Sequence, residues 1–151
     1  MFKQVRFNPV GAQQLQKLYR DTKYSMSRQI TFKECVVLPS IGKVQASYLG
    51  FLPASEFLRL ITDDDDNIIK SIFIDNVRDF QGNNPVNKDI ASTIDDGLLD
   101  QFVLRNNGVI IVARDLSVTA HSFTVRDYQI VNGCQTSHVL YAHRERITDG
   151  V

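Results

Sequence analysis

The sequence has few cysteines, no long apolar run and no excess of charge of either sign. Its 151 residues include only two cysteines, Cys35 and Cys134, which excludes a disulfide-stabilised scaffold. No apolar run approaches the roughly 20 residues that a membrane-spanning helix needs, so no membrane partner is expected. Seventeen basic residues balance seventeen acidic ones, so no global positive field attracts nucleic acid. Any contact with nucleic acid must come from a local patch.

What remains is the composition of an ordinary soluble domain. Hydrophobic residues make up 43% and charged residues 23%, and the length fits one domain. The absence of a signal-peptide pattern makes a reducing cytoplasm the simplest setting. The last predicted helix is followed by little chain, so we expect a fragment or the first part of a longer protein.

The pattern of apolar and turn-forming residues predicts an α+β fold with a mixed sheet, helices and a strand–NGxQT–helix unit near the C-terminus. The strand 109–113 is apolar on both faces and is predicted to be central in the sheet. A helix is expected to open at Pro85 or Val86 and to carry Val86, Ile90 and Ile94 at a spacing of four. The other predicted helices are 8–20, 53–61 (with Phe57, Leu58 and Ile61 inward), 68–73 and 97–104, and the other predicted strands are 31–39, 41–49 (a hairpin) and 123–131.

Four adjacent aspartates stand in 62-TDDDDN-67. They have two interpretations, a loop that binds a divalent cation and a solvated loop that caps the following helix. The run lacks the spaced ligands and the glycine of an EF-hand loop, which favours the solvated loop. In that interpretation Asp66 or Asn67 accepts the first N–H groups of the helix 68–73.

A polar segment, 132-NGCQT-136, separates a predicted strand from a predicted helix. Gly133 permits a tight turn and lets a ligand approach the backbone closely, and Thr136 is expected to cap the helix. A helix N-terminus suits a phosphate or a carboxylate, and Asn132 and Gln135 add neutral amide groups beside it. Ordinary turn and cap chemistry would explain the same residues without a ligand.

A second Asn-Gly corner, 106-NNG-108, precedes the strand 109–113. It lies near the other Asn-Gly corner, Asn132-Gly133, if the strands 109–113 and 123–131 pair. Arg78 either binds an anion bidentately or holds a neighbouring carboxylate.

Other chemistry is weakly indicated. The three histidines show no zinc-ligand spacing with the two cysteines, so no metal site is predicted. Cys134, beside a predicted helix N-terminus, is a candidate nucleophile, but the sequence does not place a histidine or an acid as its partner.

Four segments in order, 76-NVRDFQG-82, 86-VNKDIASTI-94, 106-NNG-108 and 129-QIVNGCQTS-137, resemble the AIPR family, the abortive infection phage resistance proteins of bacteria. The resemblance spans about residues 70–140. Cys134 departs from the small or polar residue expected there, and the chain stops soon after the last motif. The resemblance therefore implies a truncated member, with an N-terminal α/β portion over 1–69 and an incomplete AIPR-like core over 70–151.

The resemblance implies a component of anti-phage defence, with other defence-system proteins as possible partners. Together with the polar corners it suggests binding of a phosphate-bearing ligand, either a nucleotide or nucleic acid. The candidate ligand-binding residues are Asn76, Arg78, Asn87, Asn106, Asn107, Gly108, Asn132, Gly133, Gln135 and Thr136.

Two alternatives stay open at this stage. One is a metal-dependent nuclease or nucleotide hydrolase, for which Asp75 and Asp79 would share a face if their segment were helical. No cofactor is identified, and magnesium is expected only under this alternative. The other is a non-catalytic interaction domain in which the polar corners only hold turns.

Overall fold

The computed structural model describes residues 11, 12, 15, 26–39, 41–74, 80, 82 and 84–147 of the chain. Helices and antiparallel sheets occur together, which confirms the predicted α+β class. The strands are β1 (Ser27–Thr31), β2 (Glu34–Val37), β3 (Tyr48–Phe51), β4 (Ile110–Thr119) and β5 (Ser122–Asn132). The α-helices are α1 (Ala54–Ile61), α2 (Pro85–Asp95), α3 (Phe102–Arg105) and α4 (Cys134–Ala142), and the 3-10 helices are Lys70–Phe73, Leu99–Gln101 and Arg144–Arg146. Most of the predicted helix 8–20 lies outside the described residues.

The larger sheet has three antiparallel strands in the order β1-β5-β4. The strand that we expected to be central, 109–113, belongs to the edge strand β4, so that prediction was wrong. Ile110 and Val112 are 53% and 54% exposed, because no described strand or helix covers that side of β4. An apolar residue on each face of a strand therefore did not mean burial on both faces here.

The central strand β5 changes the side it buries halfway along. Phe123 and Val125 are buried in its first half, and Tyr128 and Ile130 in its second half. Asp127 lies between these pairs with φ +47°, which breaks the simple alternation of a strand. The Tyr128 hydroxyl, now buried, donates to the Leu60 carbonyl at 2.5 Å and joins β5 to α1.

The helices contribute the other side of the core. In α1 the buried residues include Phe57, Leu60 and Ile61, so the prediction missed Leu60, while Leu58 is only half-buried. The helix α2 begins at Pro85 as expected and buries Ile90 and Ile94. Val86, which has the same spacing, is 58% exposed.

A separate two-stranded sheet is formed by β2 and β3, which confirms the expected hairpin with different bounds. The second strand begins only at Tyr48, since Ile41 and Val44 form an isolated bridge within the connection. The rings of Phe32 and Tyr48 contact that of Phe123 edge-on, at centroid distances of 4.8 and 4.9 Å. These contacts place the hairpin against the larger sheet.

The aspartate run forms an exposed loop that is closed by its own side chains. The Asp63 carboxylate accepts the backbone N–H groups of Asp65 and Asn67, at 3.0 and 2.9 Å. The expected capping of a following helix by Asp66 or Asn67 was wrong. The next helical segment is a 3-10 helix from Lys70 to Phe73, and its N-cap, Ile69, makes no side-chain cap.

Candidate functional site

The pairing of β4 with β5 brings the two Asn-Gly corners together. Ile110 is opposite Asn132 in the register, and 106-NNG-108 ends two residues before Ile110. This confirms the expectation that the corners lie near each other if the two strands pair. The register shifts between Ile110 and Ile111, so the sheet is irregular where it meets the corners.

Gly133 makes the sharp turn from β5 into α4. Its φ is +103°, and a Cβ at this position would lie 2.7 Å from Val109 Cγ2 and 3.1 Å from Val109 Cα. Both facts require glycine, as the sequence suggested. The helix begins at Cys134 with Gly133 as its N-cap.

Thr136 does not cap the helix, so this expectation was wrong. It lies within the first turn of α4 and is only 9% exposed. The error arose because the helix starts two residues earlier than the apolar periodicity indicated. The hydroxyl of the next residue, Ser137, donates a hydrogen bond to the Gly133 carbonyl at 2.8 Å.

In the other corner, 106-NNG-108, the Asn107 side chain is exposed and the Asn106 side chain is hydrogen-bonded within the protein. Asn106 is half-buried and donates through Nδ2 to the Phe102 carbonyl at 2.8 Å, which closes the end of α3. Asn107 and Gly108 are exposed, and Gly108 has φ +68° with open space around it. Asn132 is also exposed, so Asn107 and Asn132 are the accessible amides of the two corners.

The N-terminus of α2 holds a further predicted residue, Asn87. Asn84 caps the helix by accepting the Asn87 backbone N–H at 2.8 Å. The Asn87 side chain is 6% exposed, and its Nδ2 donates back to the Gly82 carbonyl in the segment before the helix. Its Oδ1 is buried and has no hydrogen-bond partner among the described residues.

The helices α2 and α4 pack together. At their C-terminal ends, Asp95 forms an ion pair with Arg146 and lies 3.9 Å from His143 Nε2. Phe80, which precedes α2, stacks on His138 in the middle of α4 with 4.4 Å between ring centroids. The C-terminal ends of the two helices are therefore neighbours, which indicates that α2 and α4 run in roughly the same direction.

A Cys–His pair in α4 was not predicted, although the spacing 134-CQTSH-138 places both residues on one face of a helix. Cys134 Sγ lies 3.6 Å from His138 Nδ1. The same Nδ1 lies 2.9 Å from the Cys134 carbonyl oxygen, to which it must donate. Because Nδ1 therefore carries a proton, it is not a base for the thiol, and Cys134 is only 4% exposed. The pair holds the first turn of α4 together.

Two predicted ligand residues, Asn76 and Arg78, lie outside the described residues, as do Asp75 and Asp79. Within the part of the chain that the structure describes, no three His, Cys, Asp or Glu side chains gather as a metal site. In the same part, no helix combines the length and apolar character needed to cross a bilayer.

The pattern of the AIPR protein family matches residues 73–150, which is more than half of the chain. The chain belongs to the AIPR family. This confirms the resemblance seen in the motifs, and it supports involvement in abortive infection, a defence against phage. The matched region contains α2, β4, β5 and α4, and hence both corners of the AIPR chain. No curated protein and no solved structure matches the chain significantly.

Proposed function

We propose that the AIPR chain binds a phosphate-bearing ligand, a nucleotide or nucleic acid, where the N-termini of α2 and α4 meet the two Asn-Gly corners. The observation that carries this proposal is the packing of α2 on α4 with their C-terminal ends together at Asp95, which points the two N-termini toward the same side. Binding at this site would serve the defence role that family membership supports.

The dipoles of the two helices favour binding of an anion near their N-termini. Aligned peptide dipoles give a helix about half a positive charge at its N-terminus, and two parallel neighbours place these charges side by side. The helices have 11 and 9 residues, long enough for this effect. The proposed ligand is therefore negatively charged, and phosphate is the anion that nucleotides and nucleic acids share.

The corners add what a charge alone does not give, namely directed hydrogen bonds. The exposed amides of Asn107 and Asn132 can each donate two N–H groups to phosphate oxygens. Gly133, which Val109 approaches too closely for any side chain, makes the turn that places the exposed Asn132 directly before the start of α4. In this proposal Asn76, Arg78 and Gln135 remain predicted members of the same site.

The test adds one negative charge to the site without changing its shape. Asn132→Asp is nearly isosteric, lies at an exposed position and places a carboxylate where the phosphate would bind. Ser117→Asp adds the same charge at an exposed position seven residues along β4 from Ile110, roughly 23 Å away at strand spacing. The two variants therefore have the same net charge and differ in its location.

Melting temperatures are measured with phosphate, sulfate, nucleoside phosphates and short single-stranded and double-stranded oligonucleotides. A ligand at 100 times its dissociation constant stabilises the fold by about 2.7 kcal/mol. We expect such a rise in the wild-type chain and in Ser117→Asp, and a much smaller one in Asn132→Asp. A flat response to every phosphate-bearing ligand, or an equal response of both variants, would contradict the proposal.

A further inference from the structure

The two Asn-Gly sequences of the chain differ in how tightly the structure holds them. Asn107-Gly108 lies between α3 and β4, outside any helix or strand, and both residues are exposed. A Cβ built on Gly108 meets nothing within 4 Å. Neither the Asn107 side chain nor the Gly108 N–H takes part in a hydrogen bond with the residues that the structure describes. The backbone at this corner is therefore free to rotate without losing a contact.

The other sequence, Asn132-Gly133, is held on every side. Asn132 is the last residue of β5 and is opposite Ile110 in the sheet. Gly133 is the N-cap of α4, and its carbonyl accepts the N–H and the hydroxyl of Ser137 at 2.9 and 2.8 Å. Val109 lies so close that a Cβ on Gly133 would be 2.7 Å from its Cγ2. A rotation of the Gly133 backbone would have to break these contacts.

An asparagine that precedes a glycine can lose its side-chain amide without an enzyme. The backbone nitrogen of the glycine releases its proton to water and attacks the asparagine Cγ, and the side-chain nitrogen leaves as ammonia. The cyclic imide that results takes up one water and opens to aspartate or isoaspartate, so an amide and water become a carboxylic acid and ammonia. The nitrogen must come close to Cγ, which a glycine free to rotate allows and a fixed backbone prevents.

We propose that Asn107 is a site of spontaneous deamidation and that the fold protects Asn132 from the same reaction. The product carries a carboxylate where the corner 106-NNG-108 had a neutral amide. The consequence for a ligand rests on the proposed function. A carboxylate at residue 107 repels a phosphate and no longer offers the two N–H groups of the Asn107 amide. The affinity of the chain for phosphate therefore declines as the protein ages.

Peptide mass spectrometry measures the modification without any ligand. The folded chain is incubated at mildly alkaline pH, and the converted fraction of each asparagine is followed with time. We expect Asn107 to convert at least about tenfold faster than Asn132, which corresponds to about 1.4 kcal/mol in activation free energy. The chain unfolded in urea is the control, because both sequences should then convert at similar rates. Equal rates in the folded chain, or no conversion of Asn107, would overturn the proposal.

Gly108→Ala tests whether the nitrogen of residue 108 is the attacking atom. The added methyl group restricts rotation at this residue, and the open space around it accommodates the methyl group. Conversion of Asn107 should slow by about tenfold or more. Asn132 in the same variant is the internal control, and its rate should not change. Unchanged conversion of Asn107 would show direct hydrolysis of the amide and would overturn the role of Gly108.

Binding measurements separate this proposal from the proposed function. Inorganic phosphate and adenosine monophosphate are titrated into the fresh chain, the aged chain and Asn107→Asp, which carries the added charge from the start. The aged chain and Asn107→Asp should both bind several-fold more weakly than the fresh chain. If the aged chain, with Asn107 converted, binds as tightly as the fresh chain, the effect on the site is overturned. If the fresh chain binds neither compound, the proposed function fails, whereas deamidation of Asn107 is decided by mass spectrometry alone.

Discussion

Gly133 and Val109 are in contact so close that no side chain fits between them. A Cβ on Gly133 would lie 2.7 Å from Val109 Cγ2, and the backbone there has φ +103°. The contact joins the residue before β4 to the turn that starts α4, and so holds the two corners of the proposed site together. A side chain at position 133 would therefore cause both backbone strain and a steric overlap with Val109.

Gly133→Ala should lower the free energy of unfolding by about 3 kcal/mol, because it adds both backbone strain and an overlap with Val109. Gly108→Ala separates the two effects. Gly108 also has a positive φ, +68°, but nothing lies within 4 Å of its added Cβ, so a loss of only about 1 kcal/mol is expected. Urea denaturation measures both variants. Equal losses would show that the Val109 contact does not matter.

Tyr128→Phe should destabilise the fold by about 1–2 kcal/mol at neutral pH, since it removes the buried hydroxyl that donates to the Leu60 carbonyl. The remaining ring still fills the core, so the variant should fold. A change below a few tenths of a kcal/mol in urea denaturation would show that the hydrogen bond contributes little.

The Tyr128 hydroxyl should also make the stability of the fold depend on pH in the alkaline range. Burial raises the pKa of Tyr128 far above its ordinary value of 10.0, against a smaller opposing effect of the Arg28 charge. Above pH 10 the unfolded chain releases this proton while the folded chain keeps it, so stability is lost as pH rises. Between about pH 9 and pH 11 the wild-type chain should lose more stability than Tyr128→Phe, by up to about 1.4 kcal/mol per pH unit. Parallel pH profiles would contradict this.

Asp63→Ala should cost about 1–2 kcal/mol, because the Asp63 carboxylate accepts two backbone N–H groups and closes the aspartate loop. Asp64, the next residue, provides the control. Its side chain is fully exposed and lies 3.6 Å from Arg28, so Asp64→Ala should leave the melting temperature unchanged. If the two variants melt alike, the loop is not held by Asp63.

Asn84→Ala should cost about 1 kcal/mol through loss of the cap on α2. Asn107→Ala removes the same amide from an exposed position outside any helix and should have little effect on stability. Differential scanning calorimetry measures both variants. A melting temperature in Asn84→Ala equal to that of Asn107→Ala would show that α2 does not depend on its cap.

Features with a local cause could be predicted from the sequence. The turn at Gly133, the start of α2 at Pro85 and the loop character of 62-TDDDDN-67 each follow from the backbone preferences of the residues themselves. The family could be recognised because its motifs keep their order along the chain.

Features that depend on distant packing could not be predicted. The edge position of β4 depends on which strands pair with β5, and the exposure of Val86 depends on where α2 is covered. The parallel packing of α2 and α4, and with it the Phe80–His138 stack, joins segments about 60 residues apart, which no local pattern specifies. These nonlocal contacts form most of the candidate site.

The pairing of β1 with β5 has a consequence for synthesis of the protein. Gln29 of β1 bonds to Ser122 of β5, which is 93 residues later in the sequence. On the ribosome β1 and α1 therefore emerge long before their central strand exists, and the three-stranded sheet cannot form until β5 has left the exit tunnel. Such long-range closure slows folding. A nascent chain that ended before β5 would leave Ile30, which is buried in the complete sheet, exposed to chaperones and proteases.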